Sequence, residues 1–421
     1  MADRMTNGAS APPARKVPGF TEFVAMVASL MAMTALAIDA MLPALPAIGQ
    51  DLNVIQDNDR QLVIGVMLLG FGIAQIVHGP LSDRFGRRPL LVGGLGLYAV
   101  SSVVAAFAQS YELLLAARFF QGVAVAATRV LAVSIVRDLY VGRKMAQVMS
   151  FAMMVFMAVP VLAPLLGEII ISIANWRWIF WMFAAIGISV GLWIGWRLPE
   201  TLHAEDRMPL TVERVRHGWK QTLTNRKSLG YMLASALLSG ALFGFINSIQ
   251  QVIYDTFGRP EMLVPAFAVI AGAMSAASLL NSRIVLRLGT RLVSHSALIV
   301  FIVLAAAASF TAYADTESLW LFLVLLSLNM GSFGLCGANF SAMAMEDMGA
   351  IAGTASSVQG AVGVLLGAVI GVSICQLYDG TTLPLSLGFL VCGCLALVCV
   401  FVTEKGCLFV EDELATEPTR T

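Results

Sequence analysis

Charge is what this chain lacks most. Of its 421 residues only 12% are Asp, Glu, Lys or Arg, and mean hydropathy is +0.82, whereas about a quarter of a soluble globular chain is charged. A soluble fold is thereby excluded. The formal net charge is +0 and the pI is near 6.9; with no basic tail interleaved with aromatics, nothing suggests nucleic acid as a partner. Cysteine is confined to the last third, at Cys336, Cys375, Cys392, Cys394, Cys399 and Cys407. These residues show neither CxxC spacing nor histidine partners, so they read as small apolar packers rather than disulfides or metal ligands. The four histidines, His78, His203, His217 and His295, are scattered near loops. There is no HExxH, and no nucleophile paired with a base inside an apolar stretch, so no enzyme constellation, metal site or cofactor is implied.

What is present is oil in regular lengths. Twelve apolar stretches of about 20 residues, the length that crosses a bilayer core, run over 20–48, 59–79, 90–109, 113–136, 145–172, 176–197, 229–253, 262–284, 292–313, 318–343, 350–376 and 383–403. The expectation is an all-α membrane protein with twelve transmembrane helices. An even number of spans returns both termini to one side. The basic residues agree: Arg4, Arg15, Lys16, Arg84, Arg87, Arg88, Arg137, Arg143, Lys144, seven more between Arg197 and Lys227, Arg283, Arg287, Arg291, Lys405 and Arg420 all fall on one set of alternate loops. Arg60, Arg177 and Arg259 fall on the other, and Arg118 and Arg129 lie inside a span. Lys and Arg are retained in the cytoplasm during insertion, so both termini are expected there. Residues 1–19 and 404–421 read as cytoplasmic tails, with no cleaved signal peptide because the first apolar stretch is too long for one. The long basic connection 199–228 divides the spans six and six, into 20–198 and 229–403.

The string GPLSDRFGRRP, Gly79 to Pro89, joins the second and third spans. One carboxylate, Asp83, and three guanidiniums, Arg84, Arg87 and Arg88, stand between Gly79 and Pro89, with Gly79 and Gly86 allowing close helix approach. An acid there can cap a helix N-terminus and an arginine can grip a carboxylate, so the string reads as a latch. After the eighth span comes SRIVLRLGTR, where Ser282, Arg287, Gly289 and Arg291 repeat Gly79, Arg84, Gly86 and Arg88, with Leu286 at the position of Asp83. The second latch is therefore expected to be degenerate. Such parallel repeats imply two similar six-helix bundles.

Four ionisable residues lie within spans, each costing about 2.5 to 3.5 kcal/mol at the bilayer centre on insertion scales. Asp39 sits about 13 Å from the outer end of the first span, ahead of Pro43 and Pro46, which free backbone carbonyls. It is the best proton-site candidate, since desolvation favours a neutral carboxyl and an approaching cation favours the ion; a structural ion pair with Arg118 is the alternative. Arg118 and Arg129, three turns apart, point to one side of the fourth span with Gln121, Gly122 and Val125 between them. For Arg129, substrate contact and pairing with an acid or freed carbonyls stand level. Glu168 near the outer end of the fifth span is either an additional gate charge or a snorkelling acid. In the seventh span Asn247, Gln250, Gln251 and Tyr254 form a polar stripe, readable as substrate contacts or interhelical bonds, while Asn281, Asn329, Asn339 and Gln359 are isolated amides. Gly363, Gly367 and Gly371 on the eleventh span read as a packing seam.

The Gly79 to Arg88 string meets every defined position of the G-x-L-x-D-R-x-G-R-R loop of the major facilitator superfamily, which the chain resembles. That resemblance implies the major facilitator fold, two six-helix bundles around a central cavity. It also places Asp83 against the start of the eleventh span, around Gly349 to Thr354, with Arg87 reaching Asp138 below the fourth span, and Asp39 beside Arg118 as a coupling pair. RFFQG, opening with Arg118, resembles the fourth-helix motif R-x-x-Q-G, whose arginine is implicated in proton coupling. AVPVLAPLLGE in the fifth span is similar to the antiporter motif of drug exporters, with Pro160, Ala163, Pro164 and Gly167 as its bend and Glu168 in place of a glycine. Together with IDAMLPALPAI, IVRDLY, VMSFAMMV, NWRWIF and AGTASSVQGAVG, these segments, covering about 20–403, resemble the Bcr/CflA drug-resistance branch. The resemblance implies a monomeric transporter of the bacterial cytoplasmic membrane, exporting small drug-like molecules in exchange for protons; the residues the sequence offers for its substrate cavity are Asp39, Gln121, Asn247, Gln251 and Tyr254. The latch alone also permits a proton-coupled importer or exporter of a metabolite or nutrient.

Overall fold

The computed structural model describes residues 18–140, 142–202, 205, 207 and 212–409; the expected terminal tails and part of the linker, including His203, lie outside them. In lipid every backbone N–H and C=O must be satisfied within its own segment, and a helix does this. Accordingly each apolar stretch is helical: α1 (Phe20–Asp51), α2 (Asp57–Phe85), α3 (Arg87–Ala106), α4 (Tyr111–Leu139), α5 (Gly142–Ile173), α6 (Arg177–Arg197), α7 (Arg226–Thr256), α8 (Pro260–Leu288), α9 (Thr290–Tyr313), α10 (Leu319–Met345), α11 (Gly353–Gln376) and α12 (Leu383–Thr403). Polar caps mark where helices leave the apolar layer. Ser110 accepts from Leu113 N at 3.2 Å, Asn225 from Ser228 N at 2.9 Å and Ser318 from Leu321 N at 3.3 Å, each satisfying an otherwise orphaned N–H.

α1 packs on α4 and α5, α2 on α4, and α3 on α4 and α6; α7 packs on α10, α11 and α12, while α9 joins α10 and α12 and α8 joins α10. These are two six-helix bundles. They meet chiefly along α2 with α11, and also along α5 with α8. The face bearing the linker and the Gly79 to Pro89 stretch is called the terminal face here, and the opposite one the far face. The linker contains an amphipathic helix, Val212–Thr224, whose Gly218 lies against Thr354 of α11.

Two details differ from the sequence expectation. Gly79 to Pro89 is scarcely a loop: α2 continues through Pro80, Asp83 and Arg84 to Phe85, and α3 starts at Arg87. Gly86 alone, at φ +99°, makes the turn, a left-handed geometry that costs a side chain little only when there is none. On α11, Gly367 and Gly371 do pack closely on Phe243 of α7, whereas Gly363 faces open space.

Candidate functional site

The first site is built by a break in α1. Regular helix ends at Asp39, a 3-10 turn covers Leu42–Ala44, and helix resumes at Leu45–Asp51, because Pro43 and Pro46 supply no N–H to the preceding turn. Met41 N accordingly bonds Ile38 O rather than Ala37 O. That freed carbonyl is taken by Arg118, whose Nη2 donates to Ala37 O at 2.9 Å, its Nε to Val63 O at 3.0 Å and its Nη1 to Gln121 Oε1 at 2.5 Å. Gln121 in turn donates to Ser102 Oγ at 2.7 Å, and the guanidinium stands 5.9 Å from the centre of the Phe180 ring. Arg118 is fully buried and saturated by neutral acceptors. A structural Asp39–Arg118 ion pair, the alternative reading, is therefore not formed among the described residues. Asp39, 4% exposed, has no hydrogen-bond or ion-pair partner among the described residues, two positions from the carbonyl that holds the arginine. On its other side α5 comes close, since a Cβ on Gly167 would overlap the Ala40 carbonyl. Pro160 and Pro164 lie within the α5 helix and Ala163 is buried. Glu168 is exposed, without an ion pair among the described residues, and close enough to Tyr254 for its charge to act on the phenol.

At the terminal face, Arg87 is the hub. Its Nε donates to Asp138 Oδ2 at 3.2 Å, and its Nη1 donates to Asp83 Oδ1 at 2.5 Å and to Ser82 Oγ. Thr201 also donates to Asp138 Oδ2, at 3.1 Å. Asp83 does not reach Gly349 to Thr354, contrary to expectation. Lying on the last turn of α2 four residues before Arg87, it is captured within its own bundle. The α11 segment instead has the Arg137 guanidinium 3.9 Å from the Cβ position of Gly353, and Gly79 lies near Ser357. The carboxylate at the start of α3 is Glu200, which sequence reading did not single out. It accepts from Arg87 N at 2.9 Å and Arg88 N at 3.2 Å, and from Thr201 N and Leu202 N at 3.1 Å, while Arg88 donates a side-chain bond to Gly195 O. Arg84 lies over Phe85, 5.2 Å from its ring centre.

The second bundle repeats the arrangement more fully than its sequence suggested. Gly289 takes φ +78°, and Arg291 donates to Glu404 at 3.0 Å and to Glu346 at 3.5 Å. Glu404 also accepts from Tyr231. Glu404 follows α12 as Glu200 follows α6, and Glu346 follows α10 as Asp138 ends α4. Arg291 thus uses the counterparts of Glu200 and Asp138 although the acid at Leu286 is lost, and aligning the two halves beyond the loop was the signal that could have found them.

At the far face, the polar stripe of α7 is not on an open cavity wall. Asn247, Gln250 and Gln251 are fully buried. Gln251 donates to Asn58 Oδ1 at 2.9 Å, Gln61 donates to Gln250 Oε1 at 3.2 Å, and Asn247 donates to Phe243 O within its own helix. Asn58 donates to the carbonyls of Gln376 and Tyr378 at 3.1 and 2.9 Å, and Gln376 returns a bond to Asn58 O at 3.1 Å. Arg60 and Asp255 add an ion pair at 3.5 Å. These bonds run from the α1–α2 connection to α7 and the end of α11, so they seam one bundle to the other. Asn58, Gln61 and Gln376 were missed because only contact between distant helices gives them partners. Farther from this seam, Asn281 and Asn339 bond each other across α8 and α10, at 2.9 and 3.3 Å.

Twelve membrane-crossing helices in two bundles, with a partnerless buried carboxyl beside a broken helix and seam contacts between the bundles, define a multi-pass transport protein. The chain belongs to the major facilitator superfamily: residues 26–372 match the family model described as "Major Facilitator Superfamily". It is 28% identical over 364 residues to a "Bicyclomycin resistance protein homolog" of Haemophilus influenzae, covering 86% of this chain and 91% of that one. It is 32% identical over 221 residues to the "Multidrug resistance protein MdtL" of Escherichia coli, covering 52% and 55% of the two chains. Among solved structures, the xylose transporter XylE from E. coli, in a partially occluded inward open conformation, superposes with a TM-score of 0.69 at 13% identity over 92% of this chain and 97% of that one, a likeness of fold. The relatives are bacterial, and the chain is accordingly a multi-pass inner membrane protein.

Proposed function

We propose that this transporter exports small drug-like molecules from the cytoplasm in exchange for protons, by alternating access between the two bundles. The observation that carries this reading is Asp39, a carboxyl sealed in the span with no cation on it, at the point where α1 breaks and Gly167 of the antiporter-like segment packs. Asp39 takes the proton. Arg118, held on the Ala37 carbonyl of the same break, feels any movement of α1 and serves as the coupling partner. The names of the bicyclomycin-resistance and multidrug-resistance relatives support drug export, and the charge bias of the loops supports a cytoplasmic terminal face with both termini and the linker on that side. The buried seam at the far face supports an inward-facing reading of this arrangement. Arg87 with Asp83 and Asp138, and Glu200 on the start of α3, form the rigid terminal-face unit that closes when the seam opens.

The test is substrate-induced proton movement in proteoliposomes, screened over cations, neutral antibiotics and sugars. Drug-driven proton release with Asp39 present, lost in Asp39→Asn while the protein still inserts, is the expected outcome. Uphill extrusion by Asp39→Asn with unchanged pH dependence would move the proton site elsewhere, to Glu168 in the first instance, and proton-driven uptake of a nutrient would reverse the direction.

A further inference from the structure

Arg129 is the intramembrane charge that neither the α1 break, nor the terminal-face contacts, nor the far-face seam uses. It lies eleven residues below Arg118 on α4, roughly 16 Å nearer the terminal face, and leaves the helix on the same side. Arg118 is sealed, whereas Arg129 is exposed. It stands exposed between the buried Ala127 and Thr128 and the buried Leu131 and Ala132, at one end of an open strip along α4. Farther along the same strip Val133 is 40% exposed, and Arg137 meets Gly353 of α11. The strip therefore faces the second bundle.

A guanidinium in mid-span is retained only with a counter-charge or acceptors, and Arg129 has no hydrogen bond or ion pair among the described residues. No described acid is paired with it. Within α7 to α12 the acids are Asp255 and Glu261, both at the far face, with Glu346, Asp347 and Glu404 just beyond span ends at the terminal face, Glu346 and Glu404 bound to Arg291 and Asp347 accepting from Asn225. In the first bundle Glu22 is taken by Arg197, Asp51 by Arg177, and Asp83 and Asp138 by Arg87. Asp39 lies at the level of Arg118, and Glu112 and Glu168 lie toward the far face. Among the described spans, therefore, no carboxylate stands at the level of Arg129.

We infer that Arg129 is the docking point for an acidic group of the substrate, a carboxylate, sulfonate or phosphate on an amphiphilic organic anion. The planar fork of an arginine grips such an oxyanion with two parallel hydrogen bonds, and the apolar wall around it takes the rest of the molecule. This deepens the exporter reading by assigning its substrate class, and it rests on that reading only for the direction of movement.

The experiment is equilibrium binding to the full chain in lipid nanodiscs, which does not depend on coupling or direction. The probes are naphthoate, naphthalenesulfonate, methyl naphthoate and naphthylmethylammonium. The two anions should bind about tenfold to a hundredfold more tightly than the ester or the ammonium, the range of one charge-assisted hydrogen-bonded contact. Arg129→Gln should erase that preference, Arg129→Lys should keep part of it, and Asp39→Asn should leave it in place even where proton-linked export is lost. The preference is a ratio within each variant, so a lower yield of folded protein does not alter it. The assignment is overturned if no anion binds, if the ester or ammonium binds as tightly, or if Arg129→Gln retains the anion-to-ester ratio. It is equally overturned if replacing zwitterionic lipid by phosphatidylglycerol abolishes anion binding, which would identify the acidic group as a lipid headgroup.

Discussion

At the scale of single residues, the chemistry is set by which charges are satisfied and which are not. Arg118 has three neutral acceptors and Asp39 has none, although they sit on adjoining turns of neighbouring helices. Glu200 shows the opposite case, one carboxylate accepting four backbone N–H groups at the positive end of α3. Removing its charge leaves those groups with a weaker acceptor, so Glu200→Gln should cost about 1 to 3 kcal/mol and lower the melting temperature in detergent. Asp83→Asn should cost less, because Arg87 keeps Asp138. If the order is reversed, Asp83 is the principal anchor and Glu200 is peripheral. Gly167 offers a second residue-scale test: Gly167→Ala should separate α1 from α5 beside Asp39 and reduce proton-linked transport more than expression, measured as transport per inserted molecule.

At the scale of elements, the informative contrast is between two glycines in neighbouring positions. Gly86 joins α2 to α3 at φ +99° with the Glu200 carboxylate against it, whereas Gly93 is inside α3 with nothing within 4 Å of a Cβ. Gly86→Ala should therefore destabilise by about 1 to 2 kcal/mol, and Gly93→Ala should be neutral or stabilising by up to about 1 kcal/mol. Thermal unfolding of both variants checks this. Equal effects would mean that the turn relaxes to another conformation. The element lengths were legible from hydropathy to within a few residues, but α2 ran six residues past its apolar stretch because Pro80, Ser82 and Asp83 are compatible with helix once their backbone is packed at the membrane surface.

At the scale of the whole molecule, the proposed alternating-access cycle makes the far-face seam a contact that must open. In a variant lacking its native cysteines, Asn58→Cys combined with Gln376→Cys should cross-link through an oxidant-formed disulfide or a short bis-methanethiosulfonate, stop transport, and recover on reduction. Undiminished transport in the cross-linked protein would show that the seam does not open. Reporter fusions at Glu205 and Ala314 should fall on opposite sides of the membrane, the first cytoplasmic; the same side for both would defeat the proposed orientation.

The sequence by itself determined the twelve spans, their grouping in two halves, the four intramembrane charges and the glycine and arginine pattern at Gly79 to Arg88. Each of these is local: lipid compels helix wherever some twenty apolar residues run together, and a charge among them stands out without knowledge of its neighbours. Tertiary structure decided the partners. Ala37 O rather than Asp39 holds Arg118 because a helix break frees a carbonyl at that spot, Asp83 serves its own bundle because Arg87 is one turn away, and the α7 amides seal a seam because Asn58 and Gln376, more than a hundred residues away on either side, arrive opposite them. Hydrogen-bonding side chains carry the same letters whether they face substrate, water or another helix, and only the packing of distant elements settles which.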